Sequence, residues 1–412
     1  MNFVKKNTKS GASLYILPMP QAHTVATGVL INVGSRDEIM PEEAGLAHAF
    51  EHMFMQGTKR FPDKRVLSEY IEEIGGLKNA FTTKEFTFFY NQLPFVEFER
   101  SIIMLSEQIQ QSLLLPDRIT SEMQVIVQEI NRTYDTPTKL VHEKTWEHIF
   151  KNHPLGHMVL GTKDSVLSFK RDNFLSFMER FYHFGNYTFI IAGNVSVGKA
   201  KELIDKNFKT SVIKERNNPI FEKIKPPSEN RLIIHRPINQ VHINIAAPVY
   251  LASKKEKVCL DLFAIMAGSG SSSPLYDEIR NKRGLCYTIY SRFYPGTDTG
   301  LFIVNMATGT EKYKEAIKIA FSVLEETKNN HVRLDNAKKM KLGKLALDME
   351  NPLDIIHDTA WNTVFFGNPQ GYDEISSAIK DITIEDIKKT VDRYLKHDQF
   401  NSILLMPESA LS

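Results

Sequence analysis

GLAHAFEHMFMQGT, residues 45–58, sets two imidazoles and a carboxylate into an otherwise apolar helical pattern: His48, Glu51 and His52. On a helix, His48 and His52 lie one turn apart on one face, and Glu51, three residues after His48, shares it. Both rings can therefore reach one ion. Zinc suits two imidazoles and a carboxylate with a further position left for water, and a carboxylate that does not ligate can take that water's proton. On this reading His48 and His52 are ligands and Glu51 is the base. The competing reading is a solvated helix face.

A third ligand must come from elsewhere. In DRITSEMQVIVQEINR, Glu122 and Glu129 are separated by two helical turns and share a face. Either carboxylate could bind, and Glu107, His142 and Glu143 compete with them. Periodicity does not choose among these. His153 and His157 in NHPLGH also have the spacing of one turn, but Pro154 and Gly156 make that segment a turn, not a helix.

Upstream and downstream of the motif, the chain alternates strand-like and helix-like runs. SLYILP and VATGVLINV precede the motif; RVLSEYIEEIGG reads as a helix and NAFTTKEFTFFYNQLP as strand; two long amphipathic helices and the strand YTFIIAG follow. The polar, proline-containing stretch KTSVIKERNNPIFEKIKPPSENR then resembles a linker. After it the order starts again with RLIIH, VHINIAAPVY, the helices KKEKVCLDLFAIMAG and PLYDEIRNKRG, and the strands CYTIYSRFY and GLFIVNMAT. Gly76-Leu77 in the first half answers Gly284-Leu285 in the second. A duplicated pair of α+β units explains the length: residues 1–210 as a zinc-binding catalytic domain, 211–229 as linker and 230–412 as a second domain.

Composition bounds the function. A chain of 412 residues with 42% hydrophobic content buries enough for about two to three domains. Lys and Arg total 51 against 49 Asp and Glu, without basic runs, which excludes a nucleic-acid surface. The start lacks an apolar core of secretory length, and no stretch reaches the roughly 18 apolar residues of a membrane span, so a cytoplasmic protein made without a cleaved signal is expected. Cys259 and Cys286 are the two cysteines, both in apolar surroundings, and read as buried thiols of a reducing compartment.

HAFEH with MFMQGT, then EEIGGLKNAFTTKEFTFFY, EMQVIVQEI, NHPLGHMVLGT, NYTFIIAGNVS and PLYDEIRNKRGLCYTIYS resemble the pitrilysin-type inverzincins, which include mitochondrial processing peptidase and its bacterial relatives. The resemblance covers essentially the whole chain. It implies two homologous processing-peptidase-like (LuxS/MPP-like metallohydrolase) α+β domains, each an antiparallel-rich sheet packed with helices. It implies one zinc per chain held by His48, His52 and Glu129, with Glu122 as supporting carboxylate. It also implies that Asn79, Ala80 and Phe81 form an edge that binds an extended peptide by strand addition, and that Arg280 and Tyr287 hold the substrate and stabilise the oxyanion. The expected activity is zinc-dependent endopeptidase action on extended or unfolded peptides. The alternative is a noncatalytic zinc- or peptide-binding subunit of a hetero-oligomeric processing peptidase. Single-chain members enclose a chamber from four such domains, so this chain is expected to form a homodimer. Where subunits that select arginine carry acidic residues, this chain has Lys139 and Glu143, and a lysine repels an arginine side chain.

Overall fold

The computed structural model describes residues 3–151, 153–209, 227 and 229–411. Two sheets organise them. The first contains β1 (Val4–Asn7), β2 (Ser13–Pro18), β3 (Thr24–Ile31), β4 (Leu77–Thr82), β5 (Thr87–Pro94) and β6 (Tyr187–Gly193), in the order β1-β2-β6-β3-β5-β4. Only β2 and β6 run parallel. The second contains β7 (Arg231–Arg236), β8 (Val241–Tyr250), β9 (Cys286–Tyr294), β10 (Thr299–Thr308) and β11 (Asn401–Pro407), in the order β7-β11-β8-β10-β9, with β7 and β11 parallel. Without β1, the two sheets have the same order and the same directions. Gly76-Leu77 and Gly284-Leu285 accordingly introduce β4 and β9, the end strands of their sheets.

Side chains alternate across a strand, so a strand covered on both faces reads as a continuous apolar run. In the first sheet Val25, Val29, Phe189 and Ile191 join one core with Phe50 and Met53 of the helix Leu46–Met53. Ala26, Leu30, Phe88 and Ile190 join another with Ile355, Ile356, Ala360 and Phe365 of the helix Pro352–Phe366. Each fully buried Val, Leu, Ile, Phe or Met side chain here stabilises the fold by about 1.5–3 kcal/mol relative to exposure. Asn351 caps that second helix by accepting from the Leu353 amide at 3.1 Å, and Gly367, at φ 83°, ends it.

The chain forms two compact units, and each takes a helix from the other half of the sequence. The first unit holds the first sheet and the helix Pro352–Phe366. The second holds the second sheet and the helix Pro137–Ile149, whose Leu140 and Val141 pack on Ile403 and Leu405 of β11. Within that unit Asn244 donates to Thr145 Oγ1 at 2.9 Å and accepts from Asn305 at 2.7 Å, which satisfies a buried amide. The segment expected as linker, 211–229, lies outside the described residues except for Pro227 and Glu229. Cys259 and Cys286 are free and buried. Among the described residues no helix is long and apolar enough to cross a membrane.

Candidate metal and peptide site

The motif helix begins at a crowded corner. Gly45 adopts φ 90°, and a Cβ there would come within 2.6 Å of the Leu160 carbonyl oxygen. At Gly161 a Cβ would lie 2.1 Å from the Ala44 carbonyl oxygen, so two chain segments cross where only glycines allow the approach. Ser165 Oγ donates to the same Ala44 oxygen at 2.6 Å. Glu38 accepts from the amides of Gly45 at 2.9 Å and Ala47 at 2.8 Å, which satisfies the helix N-terminus with a carboxylate. Burial is the largest influence on Glu38 and raises its pKa well above the carboxylate range. Phe50 stacks on Tyr182 with ring centroids 4.6 Å apart on the inward, apolar side, while His48 and His52 face the helix Pro116–Asp135.

Glu129, on that second helix, approaches both imidazoles. Its Oε2 lies 3.7 Å from His48 Nε2 and 3.7 Å from His52 Nε2. Donor atoms of the three residues fall within 4.8 Å of one another, and they form the one such group of metal-ligating side chains among the described residues. Glu122 takes a different position: Oε1 lies 2.9 Å from His52 Nδ1, and Oε2 accepts from Gln56 at 2.6 Å. This makes Nδ1 the protonated nitrogen of His52 and leaves its Nε2 lone pair facing Glu129. Glu107 accepts from the Arg60 amide instead, and His142 accepts from the Trp146 indole in the second unit.

The donor set fits zinc. Tetrahedral bonds of about 2.0–2.1 Å place donors roughly 3.3 Å apart, so the two 3.7 Å separations need only a slight contraction. Burial holds the His48 pKa down at about 3, with the His52 charge adding to the effect, so His48 is neutral and able to ligate. At His52 burial opposes charge, but the Glu122 hydrogen bond and the charges of Glu129, Glu51 and Glu122 outweigh it and raise the pKa. A cation at Nε2 competes with any proton carried there.

Glu51 does not join the ligand group. Thr82 Oγ1, in β4, donates to Glu51 Oε2 at 2.6 Å. Burial is the largest influence on Glu51 and raises its pKa, partly offset by that hydrogen bond and by His52. Asn79, Ala80 and Phe81 lie in β4, which among the described residues pairs with β5 alone and stands at the end of its sheet. Asn79 Oδ1 accepts from the Ala80 amide at 2.9 Å. The Phe81 ring lies against Trp361, centroids 6.4 Å apart, and His357, 5.7 Å apart.

In the second unit, the stretch read as a helix carries a π-helical segment, Tyr276–Asn281, and a turn with Gly284 at φ 60° before β9. The Arg280 guanidinium sits 4.6 Å from the Tyr276 ring centroid and 4.7 Å from that of Tyr287. These are cation–π distances, and they hold Arg280 beside a Tyr287 that is 74% exposed.

Sequence reasoning missed Glu38, Gln56 and Thr82. Gln56 lies beyond the helix end at Met53, where helical spacing no longer places a side chain, whereas Thr82 follows Ala80 by two and shares its strand face. No local pattern marks Glu38.

A doubled α+β chain whose first unit carries the inverted motif has the build of the inverted-motif zinc-peptidase class. Residues 16–163 match the family description "Insulinase (Peptidase family M16)", and residues 168–341 match "Peptidase M16 inactive domain". An "uncharacterized zinc protease" of Rickettsia felis is 30% identical over 397 residues, covering 95% of each chain. One of Bacillus subtilis is 26% identical over 388 residues, covering 93% of this chain and 94% of that one. The chain belongs to peptidase family M16. A protease structure from Helicobacter pylori shares the fold at TM-score 0.91 and 22% identity, covering 98% of this chain and 100% of that one. A chain of complex III2 from Candida albicans shares it at TM-score 0.82 and 16% identity, covering 100% of this chain and 98% of that one.

Proposed function

We propose that this chain is a zinc metalloendopeptidase that hydrolyses extended or unfolded peptides. The observation that supports it most is a half-buried Glu51 held by Thr82 and lying outside the group His48, His52 and Glu129, which separates a candidate base from the candidate ligands. His48, His52 and Glu129 would hold one zinc ion per chain, with Glu122 orienting His52 through Nδ1. When bound, zinc supplies Lewis acidity that polarises the scissile carbonyl and acidifies water. Glu51 takes a proton from the attacking water at its carboxylate. As the carbon–nitrogen bond breaks, it passes that proton to the leaving amine nitrogen.

Asn79, Ala80 and Phe81 offer a sheet edge to which an extended peptide adds as a strand. We assign to Arg280 and Tyr287 the donors for the developing oxyanion, working in a homodimer of this chain in the cytoplasm. The test uses the zinc-loaded chain with a mixture of peptides tens of residues long, read by mass spectrometry. A stably folded globular protein serves as control, and light scattering gives the assembly mass. Peptides should be cut, the folded control should survive, and the mass should be twice that of one chain. Intact peptides at full zinc loading would favour the noncatalytic subunit. Efficient digestion of the folded control would overturn strand addition, and a monomer mass would overturn the homodimer.

A further inference from the structure

We infer that Thr82 is a positioning residue: its hydroxyl fixes the Glu51 carboxylate from the end of the strand to which substrate adds, an inference that rests on the peptidase reading. Glu51 and Thr82 are far apart in sequence and come from different elements, the motif helix and β4. The 2.6 Å contact between hydroxyl and carboxylate has the length of a charge-assisted hydrogen bond, roughly twice as strong as a neutral one.

The two partners differ in freedom. Thr82 sits opposite Thr87 in the β4–β5 ladder. The next residue, Thr83, closes the turn: its hydroxyl accepts from the Glu85 amide at 3.1 Å and the Phe86 amide at 2.9 Å and lies 2.9 Å from the Phe86 oxygen. The β-branched Thr82 side chain is also stiff at χ1. Glu51 has three side-chain torsions and loses one of its anchors if the hydroxyl is removed. Its neighbour in sequence, His52, belongs to the ligand group, so an unanchored Glu51 can turn toward a bound cation or away from the water it must deprotonate. A misplacement of about 1 Å in a reacting group is enough to cost 100-fold in rate.

The placement also joins two tasks. Ala80 and Thr82 project from one face of β4, and Asn79 and Phe81 from the other. A peptide pairing along β4 is therefore aligned by the same strand that aims the base. Substrate register and proton transfer then share one rigid element.

The test compares Thr82→Val, which keeps the shape and removes the donor, with Thr82→Ser, which keeps the donor. Thr82→Val should lower kcat by about 10- to 100-fold, the range for outer hydrogen-bond partners. KM should stay within about threefold and zinc near one per chain, because neither strand pairing nor ligation uses the hydroxyl. Thr82→Ser should keep most of the wild-type kcat. A crystal structure of each variant gives a readout that needs no turnover: Glu51 should hold one rotamer in Thr82→Ser and several in Thr82→Val. A Thr82→Val enzyme within about twofold of wild-type kcat, a serine variant as slow as the valine variant, or a single Glu51 rotamer in both would overturn the inference. Failure of the peptidase reading looks different, since wild type itself would then leave peptides intact while the rotamer comparison still decides the role of Thr82.

Discussion

Glu51→Gln leaves a chain that binds zinc near one per chain and hydrolyses peptides about 10²- to 10⁴-fold more slowly than wild type, the usual worth of a general base. The substitution keeps the shape and the acceptor oxygen for Thr82 but removes the basic oxygen. The ligand group, His48, His52 and Glu129, is untouched, because Glu51 takes its hydrogen bond from β4 and not from that group. Metal content by atomic absorption and turnover of a fluorogenic peptide measure the two properties separately. Turnover within tenfold of wild type, at full zinc loading, would remove Glu51 from the mechanism.

Glu129→Gln and Glu122→Gln should separate in competitive chelator titrations. Glu129 faces both Nε2 atoms, so its replacement by a neutral amide takes away a first ligand and its charge, and most of the zinc should be lost. Glu122 is one atom layer further out, holding His52 Nδ1 and Gln56. Its loss frees the ring to rotate, which typically costs about 10- to 100-fold in affinity or activity. The ordering carries the assignment. If Glu122→Gln released metal more readily than Glu129→Gln, the roles of the two carboxylates would be reversed.

Elements with a strong internal pattern were readable at once. Tyr187–Gly193 and Val241–Tyr250 are strands over the same residues that their mainly apolar runs mark, because both faces of each sheet are covered. NAFTTKEFTFFYNQLP reads as a single strand-like run, yet it contains two strands: residues 83–86 turn, held by the Thr83 hydroxyl, and threonine carries too weak a turn preference to announce that. The pairing of His48 with His52 on one helix face is a matter of spacing, and it was legible for that reason. The carboxylate that joins them, Glu129, was legible only through the family resemblance, since Glu122 and Glu129 share a helix face and differ only in what their surroundings present to each. His52 Nδ1 and Gln56 meet one, and two Nε2 atoms meet the other. Position along a partner helix has no one-dimensional signature. The same holds for the corner at Gly45 and Gly161, where the need for glycine arises from a crossing of remote segments.

The exchange of helices between the halves sets the timetable of synthesis. A ribosome that has finished β6 has made every strand of the first sheet, but Leu17, Ala26, Leu30, Phe88 and Ile190 still lack the cover that Ile355, Ile356, Ala360 and Phe365 provide. That apolar face stays open to water, and to chaperones, until translation passes Phe366. The helix Pro137–Ile149, made early, must in turn wait for β11 near the end of the chain, where Ile403 and Leu405 receive Leu140 and Val141. Neither half of the sequence therefore encodes a polypeptide with all its own cover, and the two sheets are both covered only after β11 has been made.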